Sequence, residues 1–106
     1  MQAAVVDVTR EEVRDGIAGD DFVLIDVREP QEFAAGHIPG SLSMPLSAFD
    51  PADLAAFAGR RIVFSCAAGV RSIHALMMAQ AAGLAVNEHY RGGFRDWVMA
   101  GEPVER

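Results

Sequence analysis

Residues 62–72 read IVFSCAAGVRS, an apolar run that ends at Cys66, the only cysteine of the chain. The run over residues 61–65 is typical of a strand that is buried on both faces, as in a parallel sheet. A loop over residues 66–71 follows, and then a predicted helix over residues 72–82 that ends near Gly83. A strand that leads through a short loop into a helix is the repeating unit of α/β folds.

More strands and helices are predicted on both sides of this unit. Further strands are predicted over residues 22–27, 42–44 and 86–90. Further helices are predicted over residues 10–18, 30–35, 51–57 and 94–100, partly from a capping box at Thr9 and Glu12 and from prolines in two first turns. The alternation predicts an α/β fold with a central parallel sheet flanked by helices on both faces. There is no repeat, low-complexity stretch or linker, so we expect one domain over residues 1–106.

Apolar spacing predicts how two of the helices pack. Ile73, Leu76, Met77 and Gln80 share one face of the helix after the cysteine loop. Met77 and Met78 are therefore expected to pack in the core rather than bind a metal. Trp97 and Phe94 are expected to anchor the last helix in the core.

Composition excludes several classes of function. The 106 residues carry a net charge of −6, which disfavours nucleic acid and anionic membrane surfaces as partners. All nine basic residues are arginines, so Schiff-base chemistry on a lysine is excluded. We see neither a signal-peptide pattern nor an apolar run long enough to span a membrane, and a free thiol suits a reducing compartment. A soluble, cytoplasmic protein is expected.

The single cysteine and three scattered histidines also exclude two kinds of site. One cysteine forms no intramolecular disulfide and supplies no zinc site built from several thiolates. We therefore predict no metal and no cofactor. His37 is expected to be structural, in a turn between glycine and proline residues. His74 and His89 are expected to lie on the surface or behind the site rather than to act in catalysis.

The position of Cys66 predicts an anion site. Ligands of parallel sheets bind beyond the carboxyl ends of the strands, where this residue would lie. The amides of residues 67–72 can converge there, Gly69 permits a positive φ, and the following helix adds its N-terminal dipole. Arg71 supplies a fixed charge, and Ser72 can cap the helix or donate its hydroxyl. Most lone cysteines are small core residues, but this context favours a reactive thiolate with a lowered pKa.

The loop and two other motifs resemble those of the rhodanese family. Residues 66–72 are similar to the family's active-site loop of cysteine, two variable residues, glycine, one variable residue, arginine and Ser/Thr. Residues 26–33 (DVREPQEF) with 36–41 (GHIPGS) resemble its first signature, and residues 90–94 (YRGGF) with Trp97 and residues 101–103 resemble its C-terminal end. Together the motifs cover nearly the whole chain in the family's order.

The resemblance implies a rhodanese-like fold and a sulfurtransferase that forms a persulfide on Cys66. It implies that the substrate is bound by the loop that follows, which consists of Ala67, Ala68, Gly69, Val70, Arg71 and Ser72. Asp26 and Arg28 are expected to support the site. Arg28 is expected to pair with a neighbouring acid such as Glu32 and so to order the loops, with direct contact to the substrate as the alternative, and Asp26 is expected to accept hydrogen bonds from the loops. The donor would be thiosulfate or a small persulfide, and the acceptor cyanide, a thiol or a protein.

Two details of the loop bear on its substrate. Four residues lie between Cys66 and Arg71, whereas dual-specificity phosphatases of this fold have a loop that is longer by one residue. Ala67 and Ala68 stand where thiosulfate-using relatives often carry basic or polar side chains, so weak use of thiosulfate is expected. The alternatives are a sulfur-carrying or partner-docking module without turnover, a phosphatase or arsenate reductase, and an inactive structural domain.

Overall fold

The computed structural model of the chain describes residues 5–106. Its strands are β1 (Val6–Val8), β2 (Val23–Asp26), β3 (Leu42–Ser43), β4 (Ile62–Ser65) and β5 (Glu88–Tyr90). Its α-helices are α1 (Arg10–Ala18), α2 (Pro30–Ala35), α3 (Arg71–Ala81) and α4 (Gly93–Met99). Two 3₁₀ helices, Leu46–Ala48 and Pro51–Phe57, lie between β3 and β4.

The strands form one parallel sheet in the order β1-β5-β4-β2-β3. Because side chains alternate along a strand, β2 sends Val23 and Ile25 to one face and Leu24 to the other. On the first face they pack with Ala75 and Leu76 of α3, together with the second 3₁₀ helix. The other face packs on α1 and α4 and contains Trp97. The predicted α/β fold, with a parallel sheet and helices on both faces, is confirmed.

Local sequence determines most helix ends. Thr9 Oγ1 accepts a hydrogen bond from the Glu12 amide, and the Glu12 carboxylate accepts one from the Thr9 amide, so α1 begins in the predicted capping box. Pro30 occupies the first turn of α2, as predicted. The segment from Pro51 is a helix of the 3₁₀ type, and the Asp50 carboxylate caps it by accepting from the Ala52 amide.

Three predictions were wrong: the buried face of α3, the burial of two of its methionines and the length of one strand. The buried face of α3 consists of Ser72, Ala75, Leu76 and Ala79. Met77 and Met78 are exposed rather than packed in the core. Small residues let α3 approach the sheet closely, whereas apolar spacing alone pointed to the larger side chains. The strand predicted over residues 86–90 covers only Glu88–Tyr90 in the structure. Strand β1 was not predicted at all.

No helix among residues 5–106 combines the length and the apolar character needed to cross a bilayer.

Candidate active site

The loop between β4 and α3 encloses the thiol of Cys66. This residue directly follows β4, so it lies at the carboxyl edge of the sheet, and only 1% of its surface is exposed. Gly69 has a φ of +88°, the left-handed conformation expected there, and its amide donates a hydrogen bond to Sγ at 3.1 Å. The loop thus folds back over the sulfur.

Two carbonyl groups of this loop accept hydrogen bonds from the first residues of α4. The Phe94 amide donates to the Cys66 carbonyl at 2.8 Å, and the Arg95 amide donates to the Ala67 carbonyl at 3.0 Å. In a trans peptide the N–H points away from the C=O of the same unit. The N-terminus of α4 therefore orients the loop so that its amides face the thiol.

Hydrogen bonds around Sγ favour the thiolate. Burial, the largest single influence, raises the pKa of the Cys66 thiol. The Ser72 hydroxyl and the amides of Ser72, Ala68 and Gly69 lower it, and together they outweigh burial, so the pKa lies below its ordinary value. The loop therefore stabilises the sulfur anion more than water stabilises that of an ordinary cysteine.

The other loop residues differ in their exposure. Ala67 is half-buried, whereas Ala68 and Val70 are exposed. Ser72 is fully buried inside the first turn of α3, which begins one residue earlier than predicted, so it does not cap the helix. Its hydroxyl instead contacts the Cys66 thiol at 3.5 Å and Nδ1 of His89 at 2.8 Å.

Arg71 is held by Glu32 of α2. Its guanidinium donates to both carboxylate oxygens, at 2.7 Å and 3.0 Å. These hydrogen bonds are the largest influence on the Glu32 carboxyl and hold its pKa at about 2. The partner of Glu32 is thus Arg71 and not Arg28, so the pairing of Arg28 with Glu32 that was predicted from sequence is wrong. Part of the Arg71 charge is balanced before any anion binds.

Asp26 and Arg28 form a buried ion pair close to this edge. Each is 4% exposed, and the Asp26 carboxylate accepts from Nε, from a terminal nitrogen and from the backbone amide of Arg28. Arg28 also donates to the Gly36 carbonyl at 2.7 Å and lies over the Phe94 ring, 4.2 Å from its centroid. The pair joins β2, α2 and α4, and in this structure its charged groups contact each other rather than Cys66.

Two residues near the thiol were not anticipated. His89 of β5 is 1% exposed, and its Nε2 lies 2.9 Å from Oδ1 of Asp7 in β1. This contact was not predicted, because its partners lie 82 positions apart and β1 itself was missed. No group of three or more His, Cys, Asp or Glu side chains within residues 5–106 is arranged to hold a metal ion.

A cavity of about 470 Å³ opens beside the loop, where Ala68, Gly69 and Arg91 contribute to its walls. A second cavity, of about 440 Å³, lies at the opposite edge of the sheet, where β4 and β5 begin with Ile62 and Glu88. Since Cys66 follows the carboxyl end of β4, only the first cavity adjoins the candidate site.

We expect the substitution Glu32→Gln to remove a pH-dependent contribution to stability. The folded-state pKa near 2 lies below the ordinary 4.5, so the ion pair stabilises the fold above the unfolded value and is lost as pH falls through about 2. Both side chains are about one-third exposed, so the effect should stay below about 1 kcal/mol. Thermal unfolding of both proteins from pH 7 down to acid measures it. A difference that is unchanged in acid would contradict the assignment.

Comparisons with known proteins agree with this architecture. The family described as "Rhodanese-like domain" matches residues 9–100. An uncharacterized protein of Synechocystis is 39% identical over 85 residues, which are 80% of this chain; the match covers 48% of that protein, so the chain spans about half its length. Human thiosulfate:glutathione sulfurtransferase is 32% identical over 105 residues, covering 86% of this chain and 91% of that protein.

A solved structure gives the same result. The human single-domain sulfurtransferase TSTD1 superposes with a TM-score of 0.69 at 31% identity, covering 88% of this chain and 95% of that one. The family match covers far more than half of the chain and includes the β4–α3 loop, α4 and the Asp26–Arg28 pair. The chain therefore belongs to the rhodanese-like domain family.

Proposed function

We propose that the chain is a rhodanese-type sulfurtransferase that carries a sulfane sulfur as a persulfide on Cys66, with residues 1–106 acting as one domain. The observation that carries this proposal is the position of Cys66 directly after β4, where the Gly69 amide of its own loop donates to Sγ at 3.1 Å. Such donors lower the pKa of the thiol. A persulfide anion needs the same donors as a thiolate. The similarity to human thiosulfate:glutathione sulfurtransferase supports the same chemistry.

The reaction proceeds by two displacements. The Cys66 thiolate attacks the outer sulfur of the donor, an S–S bond to Cys66 forms, and the donor's own S–S bond breaks. The electron pair leaves with sulfite when thiosulfate is the donor, or with a thiolate when a persulfide is the donor. An acceptor then attacks the terminal sulfur and releases the Cys66 thiolate. The acceptor is cyanide in an assay, and a small thiol or a protein in the cell.

The amides of Ala67, Ala68, Gly69, Val70 and Ser72 are proposed to hold the donor and the terminal sulfur, with Arg71 at the rim. We propose that the donor approaches the loop from the cavity that Ala68 and Gly69 line. Ala67 and Ala68 add no charge, and Glu32 already balances Arg71. A dianion is therefore held weakly, and we expect a small persulfide such as glutathione persulfide to load Cys66 faster than thiosulfate.

The scheme requires no cofactor or metal, because the thiolate is itself the nucleophile and the sulfane sulfur passes from one nucleophile to the next with no external oxidant or reductant. A thiol that must stay reduced between cycles works best in a reducing compartment. We therefore place the protein in the cytoplasm.

Intact-protein mass spectrometry tests the proposal. Wild type incubated with glutathione persulfide or thiosulfate should gain one sulfur, about 32 Da, and lose it when cyanide is added. Cys66→Ser should gain nothing from either donor. If neither donor loads the wild type, the protein is not a free sulfurtransferase and sulfur would have to come from a specific partner protein. If Cys66→Ser also gains sulfur, Cys66 is not the carrier.

A further inference from the structure

A continuous chain of hydrogen bonds runs from the Cys66 thiol through the sheet to its edge. Sγ lies 3.5 Å from Ser72 Oγ, which lies 2.8 Å from His89 Nδ1. His89 Nε2 lies 2.9 Å from Asp7 Oδ1. Cys66, Ser72 and His89 are at most 1% exposed, whereas the Asp7 side chain is half-exposed.

The topology of the sheet creates this alignment. Cys66 follows β4, Ser72 belongs to α3, and Asp7 pairs with His89 in the parallel register of β1 and β5. Four elements therefore contribute one residue each. Every polar side-chain nitrogen or oxygen atom buried within residues 5–106 has a hydrogen-bond partner. The two ring nitrogens of His89 have the Ser72 hydroxyl and the Asp7 carboxylate as theirs.

The direction of each hydrogen bond follows from the chemistry of its end groups. A carboxylate only accepts, so Nε2 of His89 carries a proton and donates to Asp7. In the neutral ring Nδ1 is then unprotonated and accepts from the Ser72 hydroxyl. The Ser72 oxygen, 3.5 Å from Sγ, is then left to accept from the Cys66 thiol while the thiol is protonated. Every donor therefore points from the sulfur toward Asp7.

We infer that Asp7 and His89 are positioning residues that act through the Ser72 hydroxyl as a proton relay for Cys66. In the step, the S–H bond of Cys66 breaks and its proton passes to Ser72 Oγ, while the Ser72 proton passes to His89 Nδ1. The products are a thiolate, an intact serine hydroxyl that now donates to it, and an imidazolium that faces the Asp7 carboxylate. Atoms and charge balance, and no other reactant takes part.

The surroundings of His89 contain few competing charges. From β1 the Asp7 carboxylate faces it, and from α3 the Ser72 hydroxyl connects it to Cys66. Its register neighbour in β4 is Phe64, which is apolar. Arg91 reaches Asp7 at 3.4 Å, but its side chain is 77% exposed, so water screens its charge. Among the described residues, Asp7 is thus the one charged side chain in direct contact with the ring.

The relay has a function that the loop amides lack. An amide stabilises the thiolate after it has formed, but it accepts no proton. The thiol is buried, so water has poor access to remove its proton. The relay takes up that proton within the protein. When the proton returns along the same path, the neutral thiol forms again. This inference rests on the proposed function, because it assigns to His89 and Asp7 the activation of the same sulfur.

The test is the pH dependence of Cys66 alkylation by iodoacetamide, together with the ultraviolet absorbance of the thiolate. His89→Asn keeps an oxygen that can accept from Ser72 but takes up no proton. We expect its alkylation at neutral pH to be roughly tenfold slower than in wild type, with the profile displaced to higher pH. Asp7→Asn should change the profile in the same direction by a smaller factor. Ser72→Ala, which removes the hydroxyl that links Cys66 to His89, should resemble His89→Asn.

The control is His74→Asn, which makes the same replacement at an exposed histidine of α3. Its alkylation profile should match that of wild type. Thermal unfolding of each variant identifies any that are not folded, and Asp7→Asn, at a half-exposed position, keeps the test valid if His89→Asn does not fold. Profiles of His89→Asn and Asp7→Asn that coincide with wild type would overturn the relay. Because alkylation needs no sulfur donor, a protein that shifts its profile but never gains sulfur refutes the proposed function and leaves the relay standing.

Discussion

Replacing Arg28 with methionine is expected to destabilise the protein by about 3–5 kcal/mol, a large part of the stability of a domain of this size. Methionine retains most of the aliphatic volume but leaves the Asp26 carboxylate buried without its countercharge. It also removes the donor to the Gly36 carbonyl and the cation over the Phe94 ring. Urea unfolding of both proteins measures the difference.

The control for this experiment is Arg60→Met. Arg60 also pairs with an aspartate, Asp20, but the two side chains are 43% and 87% exposed. Water screens such a pair, so its loss should change the free energy of unfolding by less than about 1 kcal/mol. If Arg28→Met and Arg60→Met lower the free energy of unfolding equally, burial of the Asp26–Arg28 pair does not increase the cost of losing one partner. The double variant Asp26→Leu, Arg28→Met should recover part of the loss, because no uncompensated charge remains buried.

The features that sequence predicted well are local ones. A capping box needs only Thr9 and Glu12, and a helix start at Pro30 needs one ring that fixes φ. The position of Cys66 at the end of an apolar run also follows from neighbouring residues, and so does the positive φ of Gly69. Fold class then follows from the order of these segments, and the family resemblance rests on motifs of the same kind.

The features that sequence missed depend on distant pairing. Residues 6–8 are too few and too mixed in polarity to indicate a strand, and β1 forms because β5 offers it a parallel edge. The Asp7–His89 contact exists only in that register. The pairing of Arg71 with Glu32 spans 39 positions, whereas the sequence analysis predicted the nearby Arg28 as the partner of Glu32. Site residues that come from separate strands and helices therefore escape spacing arguments.

Gly93 is the point at which a single methyl group should damage both the fold and the site. Its φ is +65°, and an added Cβ would lie 2.6 Å from the carbonyl oxygens of Cys66 and Ala67. These are the two carbonyls that α4 holds through the amides of Phe94 and Arg95. An alanine at this position must therefore either push the loop away from α4 or pull α4 away from the sheet, and both changes disturb the amides that face Sγ.

We expect Gly93→Ala to lower the free energy of unfolding by about 2–5 kcal/mol, from a left-handed backbone that costs about 1–2 and overpacking that costs about 1–3. Gly101→Ala is the matched control, since φ is +76° there and nothing lies within 4 Å of an added Cβ. It should lose only the backbone contribution and keep the alkylation profile of Cys66. In Gly93→Ala the displaced loop amides should stabilise the thiolate less, so iodoacetamide should react more slowly at neutral pH. If the two variants lose equal stability and react equally fast, contact between the loop and α4 is not what orients the amides around Cys66.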